Sequence, residues 1–409
     1  MGDYHQFGPI TTLHKLSARS IESLEADLVD WSETRPMALV IPALYSELEG
    51  PALNNIVDEL SKVPYLSEII IGIDLANEDQ FNHAKEFFSR LPQRHRLLWN
   101  DGPRLRELDD EFDTLGIAPN QAGKGRNVWY CMGYYLASGR AQAVALHDAD
   151  VVTYNREMLA RLLYPVAHPT FGYAFSKGYY FRSDGEKLNG RVTRLMVAPL
   201  LHALRTTLDH SDPYLEFLQS FRYPLAGEFA MHTNVVRNMR FPSDWGLEIG
   251  VLSELYRRYT PQRICQVDIA GAYDHKHQIV SEEDKEAGLN KMAIDIAKAL
   301  FRKVAIDGEI LTPETFRTIK ASYHRTALDH VDRYHNDSVI NGFESRRHAE
   351  EAMVEVFAQS IMDAGDQFIS NPMETPFIAS WARVMSAMPN VFDRIKDAVE
   401  ADNAVVPQS

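Results

Sequence analysis

The stretch Gln142-Ala143-Val144-Ala145-Leu146-His147 is a short apolar run that ends in Asp148-Ala149-Asp150. An apolar run of this length, bounded by polar residues, predicts a buried strand. Open α/β sheets bind ligands at the carboxyl ends of their strands. Mg²⁺ is usually held by one or two carboxylates together with substrate phosphates. The two carboxylates therefore indicate a divalent-cation site, although a solvated acidic turn or a helix start can have the same sequence.

Three earlier apolar runs have the same character, and they lie at residues 37–42, 68–73 and 95–99. Helical spacing separates them, as at Leu53, Ile56, Val57 and Leu60. Strands that alternate with helices indicate parallel crossovers and a doubly wound sheet. We therefore predict an α/β fold in which a helical lead-in (1–35) precedes a nucleotide-binding half (36–150).

The pattern changes after Asp150. Residues 171–181 are aromatic and extended, which predicts an antiparallel strand, whereas 192–208 predict a helix and 264–270 another strand. We assign residues 151–280 to an acceptor-binding half. From Glu282 onward the spacing is helical, and a stripe at 353–361 is typical of core or dimer packing. Residues 281–409 are therefore predicted to form a helical C-terminal region.

Composition excludes several classes of protein. The chain has 409 residues and a formal net charge of −15, which argues against non-specific binding to nucleic acid or acidic membranes. Its two cysteines, Cys131 and Cys265, provide neither a disulfide framework nor a zinc spacing and favour a reducing cytoplasm. We expect neither a signal peptide nor a membrane span, since no apolar stretch approaches 18 residues.

A glycine-lysine segment, Ala122-Gly123-Lys124-Gly125-Arg126, precedes the apolar run. Glycines let backbone N–H groups approach an anion, and Lys124 adds a positive charge. The segment is not a Walker A loop, because neither Ser nor Thr follows the lysine. A diphosphate-binding loop and a plain surface turn both fit this sequence.

A local excess of positive charge follows in this acidic chain. It comprises Lys177, Arg182, Lys187, Arg191 and Arg194. Arg191 and Thr193 lie near a predicted helix start, where they can bind a phosphate or a carboxylate. The alternative is a solvated basic face that Asp184 and Glu186 balance.

Three further motifs combine polar and aromatic residues with turns. They are Ile41-Pro42-Ala43-Leu44-Tyr45-Ser46-Glu47, Tyr223–Ala230 together with Trp245–Gly250, and Tyr273-Asp274-His275-Lys276-His277. The first can contact a nucleotide, or can be an ordinary strand-to-helix turn. Glu248 can accept a hydrogen bond from a substrate hydroxyl, or can simply start a helix. A histidine after a late strand can complete a metal site begun by a distant Asp, or can be a surface residue.

Taken in order, these motifs resemble the retaining GT-A glycosyltransferases of family 81. The resemblance rests on PAL (42–44), GKG (123–125), DAD (148–150), GRVTR (190–194), PLAGEF (224–229), WGLEIG (245–250) and DHKHQ (274–278). It spans roughly residues 36–280. It implies a Rossmann-like, mostly parallel GT-A sheet and transfer of glucose from a nucleotide sugar to the 2-hydroxyl of 3-phospho-D-glycerate. Retention of the anomeric configuration, Mg²⁺ or Mn²⁺ as cofactor, and a homodimer are implied as well.

The resemblance also implies roles for individual residues. It places Pro42, Leu44, Glu47, Asp74, Gly123, Lys124 and Asp148 at the donor, and Gly190, Arg191 and Thr193 at the acceptor phosphate. Asp150 and His275 become metal ligands, with His277 as an alternative to His275. Glu248 would bind sugar hydroxyls, and the backbone carbonyl of Leu225 would orient the acceptor hydroxyl.

Because of two departures from the family pattern, the sequence allows more than one sugar-nucleotide donor. Tyr45-Ser46-Glu47 replaces an acidic pair, and Ile73-Asp74-Leu75-Ala76 replaces a turn of small residues. Both lie where the base would be bound, so the pattern allows UDP-glucose or GDP-glucose, and also a mannosyl-3-phosphoglycerate synthase-like enzyme using GDP-mannose. A sugar nucleotidyltransferase and a sugar-nucleotide-binding protein without catalysis are further alternatives.

Overall fold

The computed structural model describes residues 6, 8–119, 122–208, 212–274 and 288–404. In these ranges one sheet is formed by β1 (Thr11–Leu13), β2 (Met37–Leu44), β3 (Leu66–Asp74), β4 (His95–Trp99), β5 (Ala143–Leu146), β6 (Phe175–Arg182), β7 (Phe229–His232) and β8 (Ile264–Tyr273). Their spatial order is β1-β8-β6-β7-β5-β2-β3-β4. Among the strands of the described ranges, only β7 runs antiparallel to its two neighbours, so this is a mostly parallel α/β sheet, as predicted.

This topology places the polar motifs at one edge of the sheet. The parallel strands all end there, so the residues after β2, β3, β5, β6 and β8 converge. Because β7 runs the opposite way, the residues before it, Gly227 and Glu228, lie at the same edge.

Helices flank the sheet and make up the C-terminal third. They are α1 (Ile21–Ser32), α2 (Pro51–Leu60), α3 (Glu78–Phe88), α4 (Pro103–Thr114), α5 (Lys124–Ser138), α6 (Arg156–Ala167), α7 (Ala198–Thr207), α8 (Pro213–Gln219), α9 (Thr233–Asn238), α10 (Leu247–Arg258), α11 (Gly288–Ile306), α12 (Pro313–Ile340), α13 (Arg347–Ser370), α14 (Trp381–Ala387) and α15 (Val391–Asn403). Short 3₁₀ turns cover Tyr45–Glu49 and Pro261–Arg263, and a π-helix covers Val192–Val197.

The buried core lies on both faces of the sheet. One face packs against α1, α2, α3 and α6. The other packs against α5, α7 and the C-terminal helices, where Trp129 of α5 stacks on Trp381 of α14 with ring centroids 4.1 Å apart. The C-terminal helices therefore share a core with the rest of the fold.

The observed elements correct some of the sequence expectations. The lead-in contains the strand β1 as well as a helix, and the four-residue strand β7 was not predicted at all. The strand predicted at 171–181 begins at Phe175 and is antiparallel only to β7, since it is parallel to β8. The helix predicted over 192–208 starts as a π-helix. Among the described residues, no helix combines the length and the apolar character needed to cross a bilayer.

Candidate active site

The acidic turn after β5 lies beside the end of β8. Asp148 and Asp150 are both half-buried. Two residues further on, the Val152 N–H donates to the Asp274 carbonyl at 2.9 Å, and the Asp274 N–H donates to Thr153 Oγ1 at 3.1 Å. These bonds join the segment that follows the acidic turn to the last described residue before His275.

Lys124 joins the glycine-lysine segment to the acidic turn. Its Nζ lies 2.6 Å from Asp148 Oδ1 and 3.2 Å from Glu248 Oε1. Burial by itself lowers the pKa of Lys124, but the carboxylates of Asp148 and Glu248 outweigh that effect and the pKa rises above its ordinary value. Glu248 is buried in the first turn of α10. Glu248 therefore starts a helix, and its carboxylate also contacts Lys124.

Glycines allow the close approach of α5 to this cluster. Gly123 has φ +143°, a conformation that side chains rarely adopt, and it directly precedes α5. A Cβ on Gly125 would lie 1.9 Å from the Pro242 carbonyl oxygen, and a Cβ on Gly227 would lie 2.3 Å from Asp148 Oδ2. Backbone N–H groups at this helix start have no partner within the helix, as an anion-binding site requires.

Two buried charges in the cluster were not predicted as site residues. Lys177 on β6 is 1% exposed and donates to the Ala226 carbonyl, and burial lowers its pKa to about 8. Glu228 accepts hydrogen bonds from Tyr180 (2.8 Å) and Tyr273 (2.6 Å). Its burial and the nearby charge of Asp148 raise its pKa. The only sequence signal was the glutamate inside PLAGEF.

The predicted base-binding residues adjoin at the ends of β2 and β3. Leu44 is paired in register with Asp74, and Pro42 lies two residues earlier on the same strand. Asn100 donates to Asp74 Oδ1 at 2.7 Å, yet burial raises the Asp74 pKa to about 6. Leu75 follows with φ 56° and is 73% exposed. Such strain in a non-glycine residue tends to occur at ligand sites.

A second pocket, here called the cationic pocket, lies around the predicted acceptor residues and is lined by arginine side chains. Gly190 has φ 74°, and a Cβ there would lie 3.2 Å from the Tyr223 hydroxyl and 3.5 Å from Arg182 Cδ. Arg182 donates to that hydroxyl at 3.2 Å, while its buried Nε has no hydrogen-bond partner among the described residues. Burial and the neighbouring charge of Arg194 lower the pKa of Arg191. Thr193 Oγ1 is likewise buried without a partner in the described part of the chain.

The structure divides the five cations between different surroundings. Lys177 belongs to the carboxylate cluster, Lys187 pairs with Asp184 at 3.3 Å, and Arg194 pairs with Glu350 at 2.6 Å. Arg182 and Arg191 remain in the pocket. These five described residues therefore do not form one continuous basic face, and Arg182, which received no individual role from the sequence, lies beside Tyr223 in the pocket.

The two pockets are connected. Tyr180 donates to Glu228, and its ring lies 5.1 Å from that of Tyr223. Leu225 lies between Tyr223 and Glu228, in a turn closed by the Ala226 N–H donating to the Tyr223 carbonyl at 3.1 Å. Leu225 is thus part of the turn that joins the residue beside the cationic pocket to the carboxylate cluster.

The carboxylates of the acidic turn supply part of a ligand set for a divalent cation. Aspartates one residue apart supply oxygen ligands of the kind that Mg²⁺ and Mn²⁺ take. The described ranges contain no group of three acidic, histidine or cysteine residues arranged for a metal. The predicted third ligand, His275, and its alternative, His277, both lie outside the described residues.

A mostly parallel sheet with an acidic turn, a glycine-lysine helix start and a separate cationic pocket is the arrangement of a GT-A type glycosyltransferase. No family model matches the chain. It is 44% identical over 404 residues to glucosyl-3-phosphoglycerate synthase of Persephonella marina, which covers 99% of this chain and 100% of that protein. It is 38% identical over 397 residues to the synthase of Methanococcoides burtonii, with 96% of each chain covered. The chain therefore belongs to the glucosyl-3-phosphoglycerate synthase family.

The fold agrees with solved structures. A crystal structure of Mycobacterium tuberculosis glucosyl-3-phosphoglycerate synthase with Mn²⁺ and UDP-glucose has a TM-score of 0.53 and 23% identity. It covers 73% of this chain and 88% of that chain. A second structure of that protein, with Mn²⁺, UDP and glucosyl-3-phosphoglycerate, has a TM-score of 0.52.

Proposed function

We propose that this protein transfers glucose from a nucleoside-diphosphate glucose to the 2-hydroxyl of 3-phospho-D-glycerate, with retention at the anomeric carbon. The bond between glucose C1 and the diphosphate breaks, a bond from C1 to the acceptor oxygen forms, and the acceptor proton leaves with the nucleoside diphosphate. The observation that carries the proposal is the contact of Lys124 with both Asp148 and Glu248, next to a separate pocket around Arg191.

The donor is assigned to the ends of β2, β3 and β5. Pro42, Leu44, Glu47 and Asp74 are proposed to surround the base, and Asp148 to contact the nucleoside. Gly123 and Lys124 are proposed to hold the diphosphate at the start of α5, where free N–H groups favour an anion. Lys124 would leave its carboxylate partners to stabilise the charge that develops on the leaving group.

The metal is assigned to Asp150 and His275. A bound Mg²⁺ or Mn²⁺ would supply charge stabilisation to the departing diphosphate. The hydrogen bonds between Asp274 and residues 152–153 support this assignment, since they fix the residue before His275 beside the acidic turn.

The acceptor is assigned to the cationic pocket. Gly190, Arg191 and Thr193 are proposed to bind its phosphate, and Arg182 to bind its carboxylate. Glu248 would hold sugar hydroxyls, and the Leu225 carbonyl would orient the attacking hydroxyl. An acceptor with two anionic groups, a phosphate and a carboxylate, suits two guanidinium groups that lack carboxylate partners within the described residues.

The test is a donor-by-acceptor panel on the purified protein. UDP-glucose, GDP-glucose and GDP-mannose are each combined with 3-phosphoglycerate, phosphate or water, with Mg²⁺ or Mn²⁺ present. We expect a hexosyl-phosphoglycerate and free nucleoside diphosphate from a glucose donor. Asp150→Ala should abolish transfer, whereas Asp58→Ala, at an exposed position, should not change it.

The panel also separates the alternatives. Faster transfer from GDP-mannose would identify a mannosyl-3-phosphoglycerate synthase-like enzyme. Pyrophosphate release in a separate reaction with UTP or GTP and glucose 1-phosphate would identify a nucleotidyltransferase. Donor binding without turnover would identify a binding protein. Any of these results would overturn the proposal.

We further propose a cytoplasmic homodimer. Two free, buried cysteines support a reducing compartment. Exposed apolar residues near the end of α12, with Val339 60% and Ile340 83% exposed, support association through the C-terminal region. Sedimentation analysis of the wild type and of Ile340→Glu tests the dimer, and a monomeric wild type would contradict it.

A further inference from the structure

The C-terminal helices contact the segment that carries the proposed acceptor residues. Phe343, after α12, stacks on Phe181 of β6 with ring centroids 6.2 Å apart. The Glu344 N–H donates to the Glu186 carbonyl at 2.7 Å. The backbones of Glu344 and Lys187 form an isolated parallel β-bridge. Residues 343–344 therefore lie along the loop that leads to Gly190.

Side chains of helix α12 also hydrogen-bond to backbone carbonyl groups of the π-helix that contains Thr193. The Tyr323 hydroxyl donates to the Leu195 carbonyl at 2.6 Å, and His330 Nδ1 lies 3.2 Å from the Arg194 carbonyl. π-Helical turns are rare and frequently occur at functional sites. Here the unusual turn at Val192–Val197 is held by side chains from the C-terminal region.

Arg194 links this turn to α13. Its Nε donates to the Asn189 carbonyl at 2.9 Å, and a terminal nitrogen lies 2.6 Å from Glu350 Oε1. The guanidinium also lies over the Tyr334 ring at 4.6 Å. Arg194 is 7% exposed, and its second terminal nitrogen is buried without a hydrogen-bond partner among the described residues.

We propose that Glu350 is a positioning residue for the acceptor and that the C-terminal helices form one wall of the acceptor site. Glu350 holds Arg194, Arg194 holds the carbonyl next to Gly190, and this fixes the direction of Arg191 and Thr193. Removing the carboxylate leaves a buried guanidinium unpaired beside Arg191, which is unfavourable and frees the loop. The inference rests on the proposed function, because the acceptor is identified there.

The test compares Glu350→Gln and Glu350→Asp with the wild type. The matched control is Glu355→Gln, on the same helix, where the exposed carboxylate pairs with His324 at 2.5 Å. We expect Glu350→Gln to raise the KM for 3-phosphoglycerate about tenfold, in line with loss of one charge-assisted hydrogen bond. The donor KM and slow donor hydrolysis should stay within about twofold. Glu350→Asp should recover part of the loss, and Glu355→Gln should resemble the wild type.

A milder variant covers the case in which Glu350→Gln fails to fold. Tyr323→Phe removes only the hydroxyl that donates to Leu195, and we expect a smaller rise in the acceptor KM without a change in the donor KM. Unchanged acceptor KM in the folded variants, or an equal loss for both substrates, would overturn the positioning role. Failure of the proposed function is seen separately, since the wild type itself would then not transfer glucose to 3-phosphoglycerate.

Discussion

Lys124 connects two parts of the chain that are far apart in sequence. It lies between Asp148 and Glu248 at the start of α5. We expect Lys124→Met to lower kcat/KM for the nucleotide sugar about 100-fold, since one positioned charge at a developing anion contributes on that scale. Steady-state kinetics with both substrates measures the change. Lys62→Met, at an exposed lysine paired with Glu59, is the matched control. A similar loss in both variants would contradict a specific role.

Asp74 provides a pH-dependent test of the proposed base site. Its pKa in the folded protein is raised to about 6 from an ordinary value of 3.8, chiefly by burial. Unfolding therefore releases a proton between these values, and stability falls as the pH rises through this window. Asp74→Asn removes the ionisation but can keep the Asn100 hydrogen bond. We expect its stability relative to the wild type to be about 1–3 kcal/mol more favourable at pH 7.5 than at pH 4.

Chemical denaturation of both proteins at the two pH values gives this comparison. The donor KM should rise in Asp74→Asn, because the residue is also assigned to the base. A relative stability that is the same at both pH values would show that folding does not raise the pKa of Asp74.

Residue types and order indicated most site candidates, but not their surroundings. DAD, GKG and GRVTR were recognisable because acids, glycines and cations occur at strand ends and helix starts. Lys177 was assigned to a basic island because sequence shows charge but not burial. Glu228 received no role, since its partners Tyr180 and Tyr273 come from other strands.

At the scale of elements, segments marked by an apolar run or by helical spacing were predictable, whereas β7 and the π-helix were not. The apolar run at 95–99 corresponds to β4, whereas β7 has only four residues and its pairing is entirely non-local. The π-helix looks like an ordinary helix in sequence. It depends on hydrogen bonds from Tyr323 and His330, more than a hundred residues away.

The start of α5 depends on a glycine that no side chain can replace without movement. A Cβ on Gly125 would lie 1.9 Å from the Pro242 carbonyl oxygen. We expect Gly125→Ala to displace the helix start, to destabilise the fold by about 1–3 kcal/mol and to weaken donor binding. Thermal unfolding and donor titration measure the two effects. Gly271→Ala, where a Cβ meets nothing within 4 Å, should change neither.

At the scale of the whole molecule, the proposed boundary near residue 280 does not separate two cores. Trp381 Nε1 donates to the Trp129 carbonyl at 3.0 Å, and its ring fills the space beside Gly133. Asn403 of α15 hydrogen-bonds with both the N–H and the carbonyl of Leu97, at 3.0 and 2.7 Å, so it covers the edge strand β4. The C-terminal helices thus complete both the core and the sheet.

We therefore expect a chain that ends at residue 280 not to fold by itself. Loss of a buried tryptophan alone costs about 3–5 kcal/mol, and a whole domain is stable by only about 5–15 kcal/mol. The truncation removes Trp381 together with Phe301, Phe357 and their neighbours, which are fully buried. Circular dichroism during heating should show no cooperative transition for the fragment, and co-expression with residues 281–409 should restore one. A fragment that melts cooperatively and transfers glucose would instead show that the α/β part is an independent domain. It would also remove the C-terminal wall from the proposed acceptor site.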